Sequence, residues 1–283
     1  MMLMKSVGLS LAFLLVLAGA SRSQNERHNA GSLRVGCESA AAAFSAGEFQ
    51  RAADLARICL IQDDENAETH KVLALASFML QRFDDFQSNM EKAVALNPRD
   101  GDAHYHLGRF FYETKRYGEA MNRFRLACEL DSENQKAFYF SGLCRQASGD
   151  EPGAVEDFRK AIEIVERKRL HYGWPFVDLG ELLINRGEFD TGLSWIYRGK
   201  RNDPTLPYTH FAYGRAVLRR ETTPEVEQAL QHAIKLDPGY TDAYYVLARY
   251  YSKAGDKERA ATAFQKFEEL RKHPVPSPFG LRR

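Results

Sequence analysis

The sequence has only four cysteines in 283 residues, too few for a fold built on a disulfide framework. It also lacks an excess of charge of either sign, since 39 Lys+Arg against 38 Asp+Glu leaves a formal net charge of +1. Nucleic-acid binders carry a basic surplus to neutralise phosphates, so no nucleic-acid partner is expected. There is no Cys-x-x-Cys pair, no Gly-rich phosphate loop and no nucleophile elbow, and no two histidines stand four apart as a helical metal site requires. These absences point to a chain without cofactor, metal or enzymatic activity. Carboxylate pairs such as Asp84-Asp85 and Glu268-Glu269 fall on predicted solvated faces. No insertion is long enough to add a supported catalytic pocket. A hydrophobic fraction of 44% with 27% charged residues is ordinary for a globular protein and argues against disorder.

The one sustained apolar run is at the amino terminus. Residues 1–23 place Lys5 before Val7 to Leu17, then Ala18-Gly19-Ala20 before Ser21. A charged start, a short apolar middle and a small-residue exit form the pattern of a secretory signal peptide, with cleavage expected near 20–23. The run is shorter than the roughly 20 residues that span a bilayer. The chain is therefore expected to be exported, periplasmic or secreted, and to meet a membrane only if the signal is left uncleaved. Position 20 is Ala, so the cysteine of a lipoprotein signal is missing.

What the remainder does have is a period. Leu107-Gly108 is followed by Ala120, Phe124 and Ala127; Leu179-Gly180 by Gly192, Ile196 and Gly199; Tyr213-Gly214 by Val226, Leu230 and Ala233; Leu247-Ala248 by Ala260, Phe264 and Phe267. The offsets are identical. From Ala67 the period is 34 residues, interrupted once by four residues, Arg169 to Tyr172. A fixed period of this size means stacked repeats instead of the two independent domains that length alone suggests. Each period holds two helical patterns. In residues 101–134, Ala103, Leu107, Phe110, Phe111 and Thr114 share one face, Arg116-Tyr117-Gly118 breaks the helix, and Ala120, Phe124, Ala127 and Cys128 face inward on the second. Small residues at mid-helix let the two backbones approach closely. Gly47, Gly149, Gly187 and Gly255 share one slot between helices, where a left-handed helix end suits Gly. Pro98, Pro204 and Pro238 share another, where one repeat ends and the next begins.

With these residues in register, the chain resembles the tetratricopeptide repeat family. That family has a large aromatic in slot 4, Leu-Gly in slots 7 and 8, an aromatic in slot 11, Ala in 20, an aromatic in 24, Ala in 27 and Pro in 32. Seven repeats are read: 33–66, 67–100, 101–134, 135–168, 173–206, 207–240 and 241–274, together 33–274, behind a linker at 24–32 and ahead of a Pro-rich tail at 275–283. The resemblance implies an all-α, right-handed superhelical solenoid of antiparallel helix hairpins. Departures stand at slot 4, where His70, His104 and His210 replace aromatics and read as packing residues. Slot 20 holds Phe86, which puts the local helix spacing in question. The first repeat is the weakest, with Gly36 in slot 4 and Ala56 in slot 24.

In the resembled family, slots 2, 5, 9, 12 and 13 of the first helices line a concave groove. Here slot 5 supplies Lys71, Tyr105, Tyr139, Val177, Phe211 and Tyr245, and slot 9 supplies Leu75, Arg109, Leu143, Glu181, Arg215 and Arg249. Slot 12 adds Phe78 and Tyr112, and slot 2 adds Trp174 and Tyr208. The candidate peptide-binding residues are therefore Lys71, Tyr105, Arg109, Tyr112, Tyr139, Phe211, Arg215, Tyr245 and Arg249. Tyr and Arg are the residue types enriched at binding hot spots, and a carboxylate-bearing protein or peptide suits such a surface. Some relatives clamp a carboxy-terminal carboxylate with Asn in slots 6 and 9. Slot 6 here is Val72, His106, Phe140, Asp178, Ala212 and Val246, so that mode is not expected.

Cys37 in slot 5 and Cys59 in slot 27 of the first repeat lie at similar heights on antiparallel helices. They either form a disulfide in an oxidising compartment or remain two buried thiols, whereas Cys128 and Cys144 are expected to stay reduced and packed. Solenoid ends expose an apolar face. Val275 and Phe279 of the tail are expected to cover it, unless two chains pair there as a homodimer. The function this implies is a non-enzymatic interaction scaffold or adaptor that holds a partner protein or peptide segment, in cell-envelope assembly. The alternatives are a regulatory or substrate-recruiting subunit of a larger enzyme complex and a membrane-anchored assembly factor.

Overall fold

The computed structural model describes residues 37–273, which form fourteen helices joined by short turns and, among the described residues, no strand. The signal at 1–23, the linker at 24–32 and the tail at 275–283 with Val275 and Phe279 lie outside the described residues. The fold is the all-α solenoid of helical hairpins that the period implies. The helices fall into two compact units that divide between Thr114 and Lys115, inside the third repeat. The first unit holds α1 (37–45), α2 (Phe49–Gln62), α3 (Ala67–Met79), α4 (Phe83–Leu96) and α5 (Gly101–Glu113). The second holds α6 (Tyr117–Leu130), α7 (Gln135–Ala147), α8 (Glu151–Arg167), α9 (Trp174–Asn185), α10 (Phe189–Asn202), α11 (Pro207–Leu218), α12 (Pro224–Leu236), α13 (Thr241–Lys253) and α14 (Lys257–Lys272).

Helix starts are set by side chains that recur with the period. The carboxamide or carboxylate oxygens of Asn66, Asp100 and Asn134 accept from the backbone N–H of Thr69, Ala103 and Ala137 at 2.9, 3.0 and 3.0 Å. Each satisfies a donor that the first turn would otherwise leave open, worth about 1 kcal/mol. The end of α5 differs from the sequence expectation: the break lies at residues 114–116, and Tyr117 and Gly118 already belong to α6. Lys115 takes the left-handed conformation there (φ 63°), as Gln81 does in the preceding repeat (φ 60°), in the slot that holds Gly47, Gly149, Gly187 and Gly255 elsewhere. A side chain in that conformation costs roughly 1–2 kcal/mol, which the hairpin geometry imposes regardless of residue type.

The histidines of slot 4 tie the hairpins to the turns before them. His104 and His210 are buried, and their Nε2 atoms lie 3.0 and 2.8 Å from the carbonyl oxygens of Pro98 and Pro204. His70 does the same at 2.9 Å to the carbonyl of Asp64, with Nδ1 2.9 Å from Asn89 Oδ1. Tyr244 donates to the Pro238 carbonyl from the same slot at 3.3 Å. These rings are structural ties to loop carbonyls.

In the first unit the hairpin of α1 and α2 has a core made largely of alanine: Ala40, Ala43, Ala52, Ala53 and Ala56. So little apolar volume stabilises it weakly. Cys37 and Cys59 join the same two helices through a disulfide, with Cα atoms 5.6 Å apart. On a loop-closure argument, a ring of this size contributes about 3 kcal/mol. Phe86 proves compatible with its small-residue slot because it is fully buried beside Phe78 and Phe110, with ring centroids 5.4 and 4.9 Å away.

In the second unit α9 and α10 meet backbone to backbone. A Cβ on Gly180 would stand 2.6 Å from the Gly192 carbonyl oxygen, and one on Gly192 would stand 2.4 Å from the Gly180 carbonyl oxygen. Only glycine at both positions permits this approach. The four-residue insertion is absorbed mainly by α8, which runs 17 residues where α6 and α10 run 14. The corner between α8 and α9 is held by Asn202, whose side chain donates to the Leu170 carbonyl at 2.9 Å and accepts from the Tyr172 N–H at 3.0 Å.

Three outcomes are expected. Gly192→Ala should lower the urea midpoint of the second unit by an amount equivalent to about 2 kcal/mol. Gly118→Ala, where an added Cβ meets nothing, should raise it by about 0.5–1 kcal/mol; equal effects would contradict the close approach. Thiol titration of oxidised, denatured protein should count two reactive cysteines, Cys128 and Cys144, and four only after reduction.

Candidate functional site

The first helices of the second unit, α7, α9, α11 and α13, carry the side chains on which the groove expectation rests. Their arrangement divides those residues into a buried floor and an exposed rim. Tyr139 is 3% exposed and donates its hydroxyl to Asp178 Oδ2 at 2.7 Å. Tyr208 donates to the other oxygen, Oδ1, at 2.9 Å. Asp178 is itself buried, so one carboxylate on α9 is held by hydroxyls from α7 and α11. Tyr172 of the insertion packs edge-on against Tyr139 at 5.7 Å, and Trp174 stacks on Tyr208 at 4.8 Å. Phe211 is also buried, beneath the guanidinium of Arg215 at 5.0 Å. The slot-5 residues Tyr139 and Phe211 therefore build the floor and present little surface to a ligand.

The rim is polar. Between α9, α11 and α13 lies a cavity of about 550 Å³. Its apolar base includes Ile184, Ala212, Ala216 and Val246, all buried. Its rim carries Glu181, Asn185, Arg215, Arg219 and Arg249. Arg215 pairs with Glu181. Burial works against its charge, but the adjacent carboxylate more than offsets that, and the guanidinium titrates above its usual range. Arg219 and Arg249 are exposed and make no ion pair or side-chain hydrogen bond among the described residues. Tyr245, one turn from Arg249 on α13, is 43% exposed with its ring 5.3 Å from that of Phe267. The structure thus brings Arg215 and Arg249 to one rim, with Arg219 added, while Tyr245 lies one turn away on α13 beside α14. Arg219 carries a signal in the sequence: it occupies slot 13, one turn beyond Arg215 and 34 residues after Asn185.

The candidates of the first unit are placed differently. Lys71 Nζ lies 2.8 Å from the capping carboxylate Asp100 and 3.0 Å from Glu68, with little of its side chain exposed. Tyr105 is buried, and Arg109 reaches Glu113 at 2.7 Å. Tyr112 is half-buried. Lys71 is thus engaged with its own helix and with the cap of α5, and Tyr105 presents little surface. The reason is local: an N-capping acid one repeat on gives Lys71 a partner at close range.

No nucleophile stands out. Burial pushes the thiols of Cys128 and Cys144 up to about 12, which suppresses the reactive thiolate. Of the paired carboxylates, Asp84 is exposed, and the others are ion-paired: Asp85 to Arg57 at 3.1 Å, Glu268 to Arg271 at 2.8 Å and Glu269 to Lys266 at 2.8 Å.

Comparison with known proteins gives matches to tetratricopeptide repeat family models over residues 87–135 and 229–262. Human Superkiller complex protein 3 is 25% identical over 239 residues, covering 82% of this chain and 15% of its own length. Hsc70-interacting protein 1 of Drosophila melanogaster is 26% identical over 103 residues, covering 36% of this chain and 27% of its own. The chain therefore spans well under a third of either relative. Among solved structures, a tetratricopeptide repeat protein from Parabacteroides merdae superposes with a TM-score of 0.67 at 15% identity, over 86% of this chain and 94% of that one. The APC/C hetero-tetramer Cut9–Hcn1 does so with a TM-score of 0.69 at 14% identity, over 83% and 46%. These likenesses establish the fold.

Asp178 positions this face, so its removal has a defined cost. Asp178→Ala leaves the Tyr139 hydroxyl buried without its acceptor and cuts the tie to Tyr208. The expected loss is about 3 kcal/mol, from two hydrogen bonds to a charged group, read as a lower urea midpoint. A change below about 0.5 kcal/mol, the range of an ordinary surface substitution, would show that the carboxylate does not join the helices.

Proposed function

Because this chain belongs to the tetratricopeptide repeat proteins, which mediate protein–protein interactions, we propose that it is an exported scaffold or adaptor that holds a segment of a partner protein against α9, α11 and α13. The observation that carries this reading is the division of that face into an apolar base and a rim with two unpaired guanidinium groups. Arginine beside exposed tyrosine supplies rigid contact area and forked hydrogen-bond donors. The fold is a protein-interaction scaffold, and the reading assigns no chemistry to the chain.

Export is supported by residues 1–23 and, independently, by the Cys37–Cys59 disulfide, since such bonds persist in oxidising compartments. The natural setting is an assembly step in a cell envelope. Relatives named Superkiller complex protein 3 and Hsc70-interacting protein 1 support the adaptor role.

Two measurements test it. Mass spectrometry of the protein recovered from its native cells should show a mature amino terminus near residues 20–23, in the exported fraction; an intact Met1 in the cytosolic fraction would overturn the export reading. A photo-cross-linking residue at position 245 should give discrete partner adducts that fade in an Arg215→Ala, Arg249→Ala background. The same residue at position 197, an exposed tyrosine site on α10, should not. Equal adducts from both positions would remove the face from consideration.

A further inference from the structure

We propose that the occupant of the α9–α11–α13 cavity is an acidic peptide segment: it sets an aliphatic side chain on the Ile184–Ala216–Val246 base, offers carboxylates to Arg219 and Arg249, and is held weak by the chain's own Glu181. This rests on the binding face proposed above and names its ligand class.

Charge complementarity selects the occupant. The rim carries three guanidinium groups, Arg215, Arg219 and Arg249, against one carboxylate, Glu181. Glu181 already answers Arg215. That leaves two positive charges without an internal counterpart among the described residues. They stand 30 residues apart in consecutive repeats, on the neighbouring helices α11 and α13, so two separate ligand charges meet them better than one compact anion. Guanidinium forks match carboxylates two bonds at a time, which favours carboxylates over a neutral polar chain. The base is apolar, so an aliphatic side chain gains from burial there what a free anion would not. An acidic segment that also carries an apolar residue satisfies both surfaces.

Glu181 makes this more than a positive patch. It stands in slot 9, the position taken by Arg215 and Arg249 in the next two repeats, and supplies from within a carboxylate like those the ligand would bring. While it stays paired, Arg215 is unavailable and the cavity holds a repelling negative charge. Its removal should release both restraints at once.

The test uses an acetylated, amidated peptide of alternating Glu and Leu, a second peptide with every Glu replaced by Gln, and inorganic phosphate, measured against the full chain by fluorescence anisotropy and competition. The acidic peptide should bind at least tenfold more tightly than the Gln peptide, with affinity falling as salt is raised. Arg219→Ala with Arg249→Ala should lose tenfold or more, and since neither side chain has an internal partner the fold should persist by circular dichroism. Glu181→Gln should bind the acidic peptide several-fold more tightly than the unaltered chain. Equal binding of the two peptides, no loss in the double arginine variant, no gain in Glu181→Gln, or phosphate displacing the peptide in equimolar amounts would each overturn the proposal. If these fail while position 245 still cross-links a partner, the ligand class is wrong and the binding face stands. If those adducts are absent as well, the face itself is wrong.

Discussion

One buried carboxylate governs the second unit. Asp178 sits in a slot filled by Val72, Phe140, Ala212 and Val246 in other repeats, and a charge there would be costly without partners. Its partners are hydroxyls from the first helices of the repeats on either side. The cost of burial is thereby converted into a directional tie across three consecutive repeats, something apolar packing alone does not provide. Because Tyr139 and Tyr208 are consumed in this tie, the aromatic character of the face turns inward, and the arginines are left at its rim.

The period, the helix pairs and the close α9–α10 approach were legible because each follows from the spacing of small and large residues. Gly180 and Gly192 recur at the offsets of Gly108 and Ala120, and steric need alone fixes what such positions can hold. The site was legible in part. Repeat slots locate Arg215, Arg249 and Tyr245 on one face, but a slot carries no information about burial or pairing. Lys71 looks like a ligand contact until Asp100 is seen 2.8 Å away, and that distance depends on how consecutive repeats stack. Tyr139 looks the same until Asp178 is seen. Arg219 is harder to single out, because slot 13 runs Met79, Glu113, Ala147, Asn185, Arg219 and Lys253 and shares no one chemistry.

The two units solve the problem of a thin core differently. The first relies on alanine-lined contact at its start, with a covalent bond across the α1–α2 hairpin and a phenylalanine cluster further on. The second relies on glycine-permitted backbone contact and a buried polar tie. The repeat geometry is common to both. What varies is the means of holding each hairpin to the next, and the proposed binding face lies where that means is polar.

The insertion before α9 has a consequence for repetition itself. Four added residues amount to close to one turn at 3.6 residues per turn, and most of them lengthen α8. An addition of that size changes length while nearly preserving angular phase. Asn202 then anchors the new corner from the end of α10. The chain consequently leaves α8 at nearly the angle it would have had without the extra turn, and Asp178 on α9 still meets Tyr139 of α7. Glu181, Arg215 and Arg249 all follow the insertion, so their row rests only on the uninterrupted 34-residue period after it.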